Sequence, residues 1–117
     1  LVVVFGAGGD RDKEKRKIMG RIADNYADII YVTDDNPRSE SPENIRRAIL
    51  IGCKRGIEIG DRAKAILISI EQLKQGDALL IAGKGHEANQ IIGDTIFPFN
   101  DVEQASMAIE ALENGSM

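Results

Sequence analysis

The sequence predicts an α/β domain in which helices flank a mostly parallel sheet, with an antiparallel hairpin at one edge of that sheet. Short runs of β-branched and aliphatic residues alternate with longer segments whose apolar residues recur at helical spacing. Loops containing glycine or proline separate the two kinds of segment. Near the end of the chain, two short apolar runs flank a Gly-Asp turn, a pattern typical of a hairpin.

Four short apolar segments predict the strands of the main sheet. They lie at residues 1–5, 29–33, 57–59 and 78–82. The first, second and fourth are almost entirely apolar, as expected for parallel strands buried on both faces. The hairpin is predicted at residues 90–99, with its turn at Gly93-Asp94.

Apolar periodicity and helix-start signals predict four helices. Ser41 is expected to be an N-cap residue followed by Pro42 at the first helical position, and Asp61 caps the next helix. Asn100 or Asp101 is expected to cap the last one. Besides the helix that begins after Ser41, the predicted helices are at residues 13–25, 62–73 and 102–113.

Composition restricts the classes of function. The 117 residues suffice for one domain, and a net charge of −4 disfavours a nucleic-acid partner. The single cysteine, Cys53, fits a reducing compartment, and one cysteine with one histidine excludes a Cys/His zinc cluster. No apolar stretch is long enough to span a bilayer. Because the chain opens inside an apolar strand without an initiator Met, we expect residues 1–117 to be a single domain of a larger enzyme.

Three polar loops follow predicted strands, at residues 6–12, 33–38 and 83–87. Right-handed crossovers bring such loops to one edge of a parallel sheet, which is where ligands bind. The first loop is not a dinucleotide fingerprint, because Arg11 stands where Gly or Ala is needed, and it is not a Walker A loop. The second loop combines Asp34 and Asp35 with Arg38, which suits a ligand carrying both an ammonium and a carboxylate.

Two other classes stay open on these residues alone. In a stand-alone Rossmann-type nucleotide-binding module, Asp34 or Asp35 would imitate the acidic residue that contacts a ribose. In a non-enzymatic α/β interaction domain, the polar loops would be solvated turns, since Asp, Asn and Pro all favour turns.

The motifs at these loops together resemble the C-terminal domain of the Mur ligases, over nearly the whole chain. The Asp-Asn-Pro-Arg form resembles the branch of UDP-N-acetylmuramoyl-tripeptide synthetases that adds meso-diaminopimelate. An L-lysine-adding relative is the alternative, and Arg38 is the residue against it. The motifs are Gly8-Gly9-Asp10-Arg11-Asp12-Lys13-x-Lys15-Arg16, Thr33-Asp34-Asp35-Asn36-Pro37-Arg38 and Ala82-Gly83-Lys84-Gly85-His86-Glu87.

The resemblance implies a cytoplasmic, ATP- and Mg²⁺-dependent amide ligase of peptidoglycan synthesis. Such an enzyme phosphorylates the D-glutamate carboxylate of UDP-MurNAc-L-Ala-D-Glu, and the amine of the amino acid attacks the acyl phosphate. The C-terminal domain is Rossmann-like, holds the incoming amino acid and closes over the ATP domain. ATP and Mg²⁺ are bound mainly outside this chain, so no catalytic residue or metal ligand is assigned within it, and the chain alone is expected to be inactive.

The resemblance also implies partners and site residues. The partners are meso-diaminopimelate and, through the other domains, the UDP-MurNAc dipeptide; we expect a monomer with no nucleic-acid or membrane partner. Arg11 and Arg38 would clamp the distal carboxylate of diaminopimelate, and Glu87 with the Gly83 carbonyl would hold its distal ammonium. The full amino-acid pocket is Arg11, Asp35, Asn36, Pro37, Arg38, Gly83 and Glu87. Candidates to face the phosphates on closure are Lys13, Arg16, Lys84 and His86.

Overall fold

Strand and helix alternate along most of the chain, as the apolar periodicity predicts. A computed structural model describes residues 1–9, 13–82, 89–92, 95–98 and 101–113. Its elements, in chain order, are β1 (Val2–Phe5), α1 (Glu14–Tyr26), β2 (Ile29–Val32), α2 (Pro42–Gly52), β3 (Ile57–Glu58), α3 (Arg62–Glu71), β4 (Leu79–Ala82), β5 (Asn89–Ile92), β6 (Thr95–Pro98) and α4 (Asp101–Glu113).

The main sheet has four parallel strands in the order β3-β2-β1-β4. Strand β1 is central, with Val2 beside Ile29 of β2 on one side and Leu79 of β4 on the other. A parallel sheet with helical crossovers confirms the predicted Rossmann-like α/β class. Because all four strands point the same way, the loops that follow them leave the sheet at the same edge.

The predicted hairpin also forms, with Asn89 of β5 opposite Pro98 of β6. Within the described ranges these two strands form backbone ladder pairs only with each other, so the hairpin is a separate two-stranded sheet rather than an extension of the main one. A side-chain hydrogen bond from Gln90 to the Asp35 carbonyl attaches it to the loop after β2 instead. The predicted turn at Gly93-Asp94 lies outside the described residues.

Two of the predicted helix caps are confirmed. The Ser41 side chain accepts a hydrogen bond from the Asn44 amide at 3.4 Å, and the Asp61 side chain accepts one from the Lys64 amide at 3.2 Å. The prediction for the last helix is wrong for Asp101, which is the first helical residue, with its carboxylate bound to Arg62. Asn100 lies outside the described residues.

The alternation of side chains along β1 divides the core into two clusters, one on each face of the sheet. Val3 and Phe5 pack towards α1 and α2, whereas Val2 and Val4 pack towards α3 and α4. Helices α1 and α2 approach closely at Gly20, where a Cβ atom would lie 2.2 Å from the Ile49 carbonyl oxygen. Both faces of β1 are thus buried, as its uninterrupted apolar sequence predicts.

The described residues cover the two faces of strand β4 unequally. Leu79 and Ile81 pack into the cluster beneath α3 and α4, but Leu80 on the other face is 51% exposed. An apolar groove runs there between β4 and α1, and its lining includes Tyr26 and Leu80. No helix in the described ranges combines the length and the apolar character needed to cross a membrane.

Candidate functional site

The loops that follow β1 and β2 pack directly against each other at the carboxyl edge of the sheet. We call residues 6–9 the β1 loop and residues 33–38 the β2 loop. The Gly9 amide donates to the Asn36 carbonyl at 2.7 Å. A Cβ atom at Gly9 would lie 1.8 Å from the Pro37 carbonyl oxygen, and one at Gly6 would lie 2.4 Å from the Thr33 carbonyl oxygen. Glycine is therefore required at both positions for the two loops to touch.

Arg38 adopts a left-handed backbone conformation, which is unfavourable for residues other than glycine. Its φ is +52°, and among the described residues no other residue except glycine has a positive φ. The left-handed conformation costs about 1–2 kcal/mol for an ordinary residue. Such strain persists only where surrounding contacts enforce it, and it is concentrated at functional sites.

The Arg38 side chain lies across both loops. Its Nη1 atom donates to the Gly9 carbonyl at 3.2 Å and to the Asn36 carbonyl at 3.3 Å. Within the described ranges, Nη1 makes both of these hydrogen bonds, and Nε and Nη2 make none. Nη1 therefore anchors the two loops. No described residue accepts a hydrogen bond from Nε or Nη2, so these two nitrogens can bind a ligand.

Four consecutive carbonyl groups of the β2 loop, at residues 34–37, accept hydrogen bonds. The donors come from four separate parts of the chain: Arg62 Nη1 to Asp34 at 3.0 Å, Gln90 Nε2 to Asp35 at 2.9 Å, the Gly9 amide to Asn36 at 2.7 Å and the Glu40 amide to Pro37 at 3.0 Å. The backbone of this loop is thus held from several directions at once.

The Asp34 carboxylate is directed towards α2 and β3. Arg46 of α2 donates to it at 2.5 Å through Nη1 and to Glu58 of β3 at 2.8 Å through Nε. Burial raises the pKa of the Asp34 carboxyl, the hydrogen bond from Arg46 opposes that rise, and the carboxylates of Asp61 and Glu58 add to it. Since Arg46 binds Asp34, this carboxylate supports the loop rather than facing a ligand.

The four predicted pocket residues of the β2 loop lie together. Asp35, Asn36 and Pro37 are buried, and Arg38 is partly buried. Strand β4 ends at Ala82, which pairs with Phe5 at the same edge of the sheet. The remaining pocket predictions, Arg11, Gly83 and Glu87, lie outside the described residues.

The two described candidates for phosphate contact differ sharply. Lys13 is exposed immediately before α1. Arg16 is only 3% exposed, and it donates to both carboxylate oxygens of Glu40, at 2.5 and 2.9 Å, and to the Gly8 carbonyl at 3.1 Å. This position does not match the expectation of a phosphate-facing side chain, because Arg16 joins the β1 loop to the segment after the β2 loop. Lys84 and His86 lie outside the described residues.

The sequence reasoning missed three side chains that hold the β2 loop: Arg46, Arg62 and Gln90. For Arg62 a signal was present. A cation in the first turn of a helix opposes the helix dipole, so an arginine directly after the N-cap Asp61 indicates an anionic partner elsewhere. That partner is Asp101 of α4.

The apolar groove beside β4 and the polar loops differ in what they can bind. The groove is lined by apolar side chains and one tyrosine, so its lining residues offer no charged side chain to pair with a zwitterion. Among the described residues there is no group of three or more His, Cys, Asp or Glu side chains that could hold a metal ion. The edge formed by the β1 and β2 loops is therefore the candidate site for a charged small molecule.

Comparison with known proteins finds relatives that share one name. The chain is 63% identical over 109 residues to the UDP-N-acetylmuramoyl-L-alanyl-D-glutamate--2,6-diaminopimelate ligase of Bradyrhizobium diazoefficiens, which covers 93% of this chain and 22% of that protein. It is 49% identical over all 117 residues to the enzyme of the same name from Agrobacterium fabrum, covering 24% of it. The chain therefore spans about a quarter of the length of these relatives.

A solved structure of a protein with that same name matches the fold with a TM-score of 0.90 at 42% sequence identity, over 96% of this chain and 24% of that one. The family model described as Mur ligase, glutamate ligase domain, matches residues 1–85. The match covers most of the chain and includes β1 to β4 with the loops between them. On these grounds the chain belongs to the Mur ligase family, as its C-terminal, glutamate ligase domain.

Proposed function

We propose that this chain is the amino-acid-binding domain of a longer, ATP-dependent ligase that joins meso-diaminopimelate to UDP-MurNAc-L-Ala-D-Glu in peptidoglycan synthesis. The names of the relatives support this function. The observation that carries it is the Arg38 guanidinium, held across the β1 and β2 loops by the Gly9 and Asn36 carbonyls. A guanidinium fixed on one side suits bidentate pairing with a carboxylate on the other.

The proposed pocket recognises the end of the amino acid that distinguishes diaminopimelate from lysine. Arg38 and Arg11 pair with the distal carboxylate, and Glu87 with the Gly83 carbonyl holds the distal ammonium. Asp35, Asn36 and Pro37 complete the pocket and shape it. Lysine lacks the distal carboxylate and leaves desolvated guanidinium groups unpaired, so discrimination of about 10⁴ is attainable.

We propose that ATP and Mg²⁺ are bound mainly by other domains of the longer enzyme. The described residues contain no carboxylate cluster suited to Mg²⁺, and the Arg16 guanidinium is bound to Glu40. Lys13, with Lys84 and His86, is the candidate to contact phosphates when this domain closes over the ATP domain. ATP supplies the phosphoryl group that activates the D-glutamate carboxylate, while this chain binds and orients the incoming amine. We place the enzyme in the cytoplasm as a monomer, with no nucleic-acid or membrane partner.

An activity assay on the full-length protein tests the proposal. The protein is incubated with ATP, Mg²⁺ and UDP-MurNAc-L-Ala-D-Glu, and with either meso-diaminopimelate or L-lysine. ADP release and the mass of the product are measured. We expect the diaminopimelate tripeptide, strong rejection of lysine, and no turnover by residues 1–117 alone. Equal use of both amino acids would refute the specificity for diaminopimelate, and preferential use of lysine would favour the lysine-adding alternative. Nucleotide binding without ligation would favour a stand-alone nucleotide module.

Replacement of Arg38 tests whether its guanidinium recognises the distal carboxylate. Arg38→Asn removes the guanidinium but keeps a residue that tolerates a positive φ, and Arg38→Gly removes the strain as well. Loss of a hydrogen bond to a charged group should raise KM for diaminopimelate about 10- to 100-fold and leave lysine use nearly unchanged. Arg47→Asn, on the exposed surface of α2, is the matched control. Equal losses for both amino acids would mean that Arg38 shapes the loop without reading the carboxylate.

A further inference from the structure

Arg62 is the first residue of α3 and is only 1% exposed. Its guanidinium binds the Asp101 carboxylate through two parallel hydrogen bonds, each 2.7 Å long. It also donates from Nη1 to the Asp34 carbonyl at 3.0 Å and from Nη2 to the Ala82 carbonyl at 3.1 Å. One side chain thus connects α3, the start of α4, the β2 loop and the end of β4.

Stability alone does not explain a guanidinium at this place. Desolvation of a buried ion pair commonly offsets the attraction, and apolar residues of similar volume often serve as well or better. A cation in the first turn of α3 is also opposed by the helix dipole. An apolar side chain, however, cannot bind two backbone carbonyls and fix the spacing between them.

The two carbonyls belong to the segments that bear the proposed pocket. Asp34 directly precedes Asp35, Asn36, Pro37 and Arg38, and Ala82 is the last residue of β4, directly before Gly83. The planar guanidinium holds Asp34 through one terminal nitrogen and Ala82 through the other, so its rigid geometry sets their separation. The Asp101 carboxylate fixes the orientation of that plane by accepting hydrogen bonds from Nε and Nη2.

We propose that Arg62 is a positioning residue for the amino-acid site: it sets the distance between the β2 loop and the end of β4, and Asp101 orients it. The inference rests on the proposed function, because it concerns the two sides of the pocket described there. Arg62 does not touch the amino acid. It acts through the backbone on which Arg38 and the residues after Ala82 are carried.

The test is Arg62→Lys in the full-length ligase. Lysine keeps the positive charge but replaces the planar fork with a single ammonium, which cannot hold both carbonyls and the carboxylate in the same geometry. A displacement of positioning groups by about 1 Å can lower the reaction rate up to 10²-fold, so we expect KM for diaminopimelate to rise at least about tenfold. The KM values for ATP and for the UDP-MurNAc dipeptide should stay within about twofold, because a local change leaves uniform binding elsewhere intact.

Arg55→Lys is a control matched in its kinds of hydrogen-bond partner, at a half-exposed position. Arg55 also donates to a carboxylate, that of Asp24, and to the backbone carbonyls of Asp24, Ala27 and Asp28. It does so before β2, at the opposite end of the sheet from the β2 loop. Its replacement should lower the melting temperature without changing KM for diaminopimelate. Kinetics are measured below the melting transition of every variant.

Each outcome decides between distinct ideas. An Arg62→Lys enzyme whose KM for diaminopimelate changes no more than that of Arg55→Lys overturns the positioning role, as does an equal rise for all three substrates. If Arg62→Lys is insoluble, Asp101→Asn, which keeps the side-chain shape but weakens the orienting contact, should show the same selective rise, and its absence overturns the role. A wild-type enzyme without diaminopimelate-dependent turnover refutes the proposed function itself, and the inference with it.

Discussion

Gly9→Ala places a methyl group where the β1 and β2 loops touch. The new Cβ atom would lie 1.8 Å from the Pro37 carbonyl oxygen and 2.5 Å from its carbonyl carbon, which are backbone atoms and cannot rotate away. The loops must separate by about 1.6 Å before the Cβ–oxygen distance reaches an ordinary 3.4 Å. That movement breaks the hydrogen bond from the Gly9 amide to Asn36, now 2.7 Å, and the contact from Arg38 to the Gly9 carbonyl, now 3.2 Å.

The energetic cost follows from these two contacts. Each hydrogen bond contributes about 1 kcal/mol net, and the reduced freedom of the unfolded Ala chain returns about 0.4–1 kcal/mol. We therefore expect the free energy of unfolding to fall by about 1–1.6 kcal/mol, or the melting temperature by roughly 4–7 °C. Because Arg38 loses its anchor, KM for diaminopimelate should rise about tenfold or more in the full-length enzyme.

Urea unfolding of the 117-residue chain measures the first effect, and steady-state kinetics of the full-length enzyme measure the second. Gly20→Ala is the control, because its Cβ would lie 2.2 Å from the Ile49 carbonyl oxygen, a comparable backbone clash between α1 and α2. It should destabilise the chain similarly while leaving KM for diaminopimelate unchanged. A Gly9→Ala chain within about 0.5 kcal/mol of wild type would refute the close approach of the two loops.

Two further predictions concern charges that support the loops. Because burial raises the folded-state pKa of Asp34 above its ordinary 3.8, the Asp34 contribution favours folding below that value and is lost as pH rises through the raised pKa. The unfolding free energy of wild type minus that of Asp34→Asn should therefore fall from about pH 3 to pH 7, measured by urea unfolding at constant ionic strength; a difference that rises with pH would contradict this sign. Glu40→Gln removes the charge that pairs with the buried Arg16. It should lower the free energy of unfolding by about 2–3 kcal/mol, less than for a fully buried pair because Glu40 is 17% exposed. The Arg16→Met/Glu40→Gln double variant, measured in the same way, should lose less, because it leaves no unpaired buried charge.

Local sequence chemistry predicted most of the fold. Apolar runs gave the strands, helical spacing gave the helices, and the caps at Ser41 and Asp61 are formed by side chains bonding to amides three residues ahead. Strand direction then followed from the alternation of strand and helix. It is this direction that brings the β1 and β2 loops to one edge, so their proximity could also be expected before the structure.

Contacts between distant residues could not be predicted in the same way. Arg62 and Asp101 are 39 positions apart, and Arg16 and Glu40 are 24 apart. Nothing in the local pattern says which carboxylate a given arginine will meet. For this reason the burial of Arg16 against Glu40 does not follow from the sequence, and Asp101, one of the two residues predicted to cap α4, binds Arg62 instead.

The hydrogen-bonded carbonyls at residues 34–37 have a consequence for how such a site can change. Their acceptor oxygens are already engaged by other parts of the same chain, so selectivity for one amino acid over another falls to side chains such as Arg38. Exchange of those side chains alters what is recognised without rebuilding the scaffold that presents them. A laboratory search for variants with new amino-acid preferences should therefore randomise Arg38 and leave Gly9, Arg62 and Gln90 untouched.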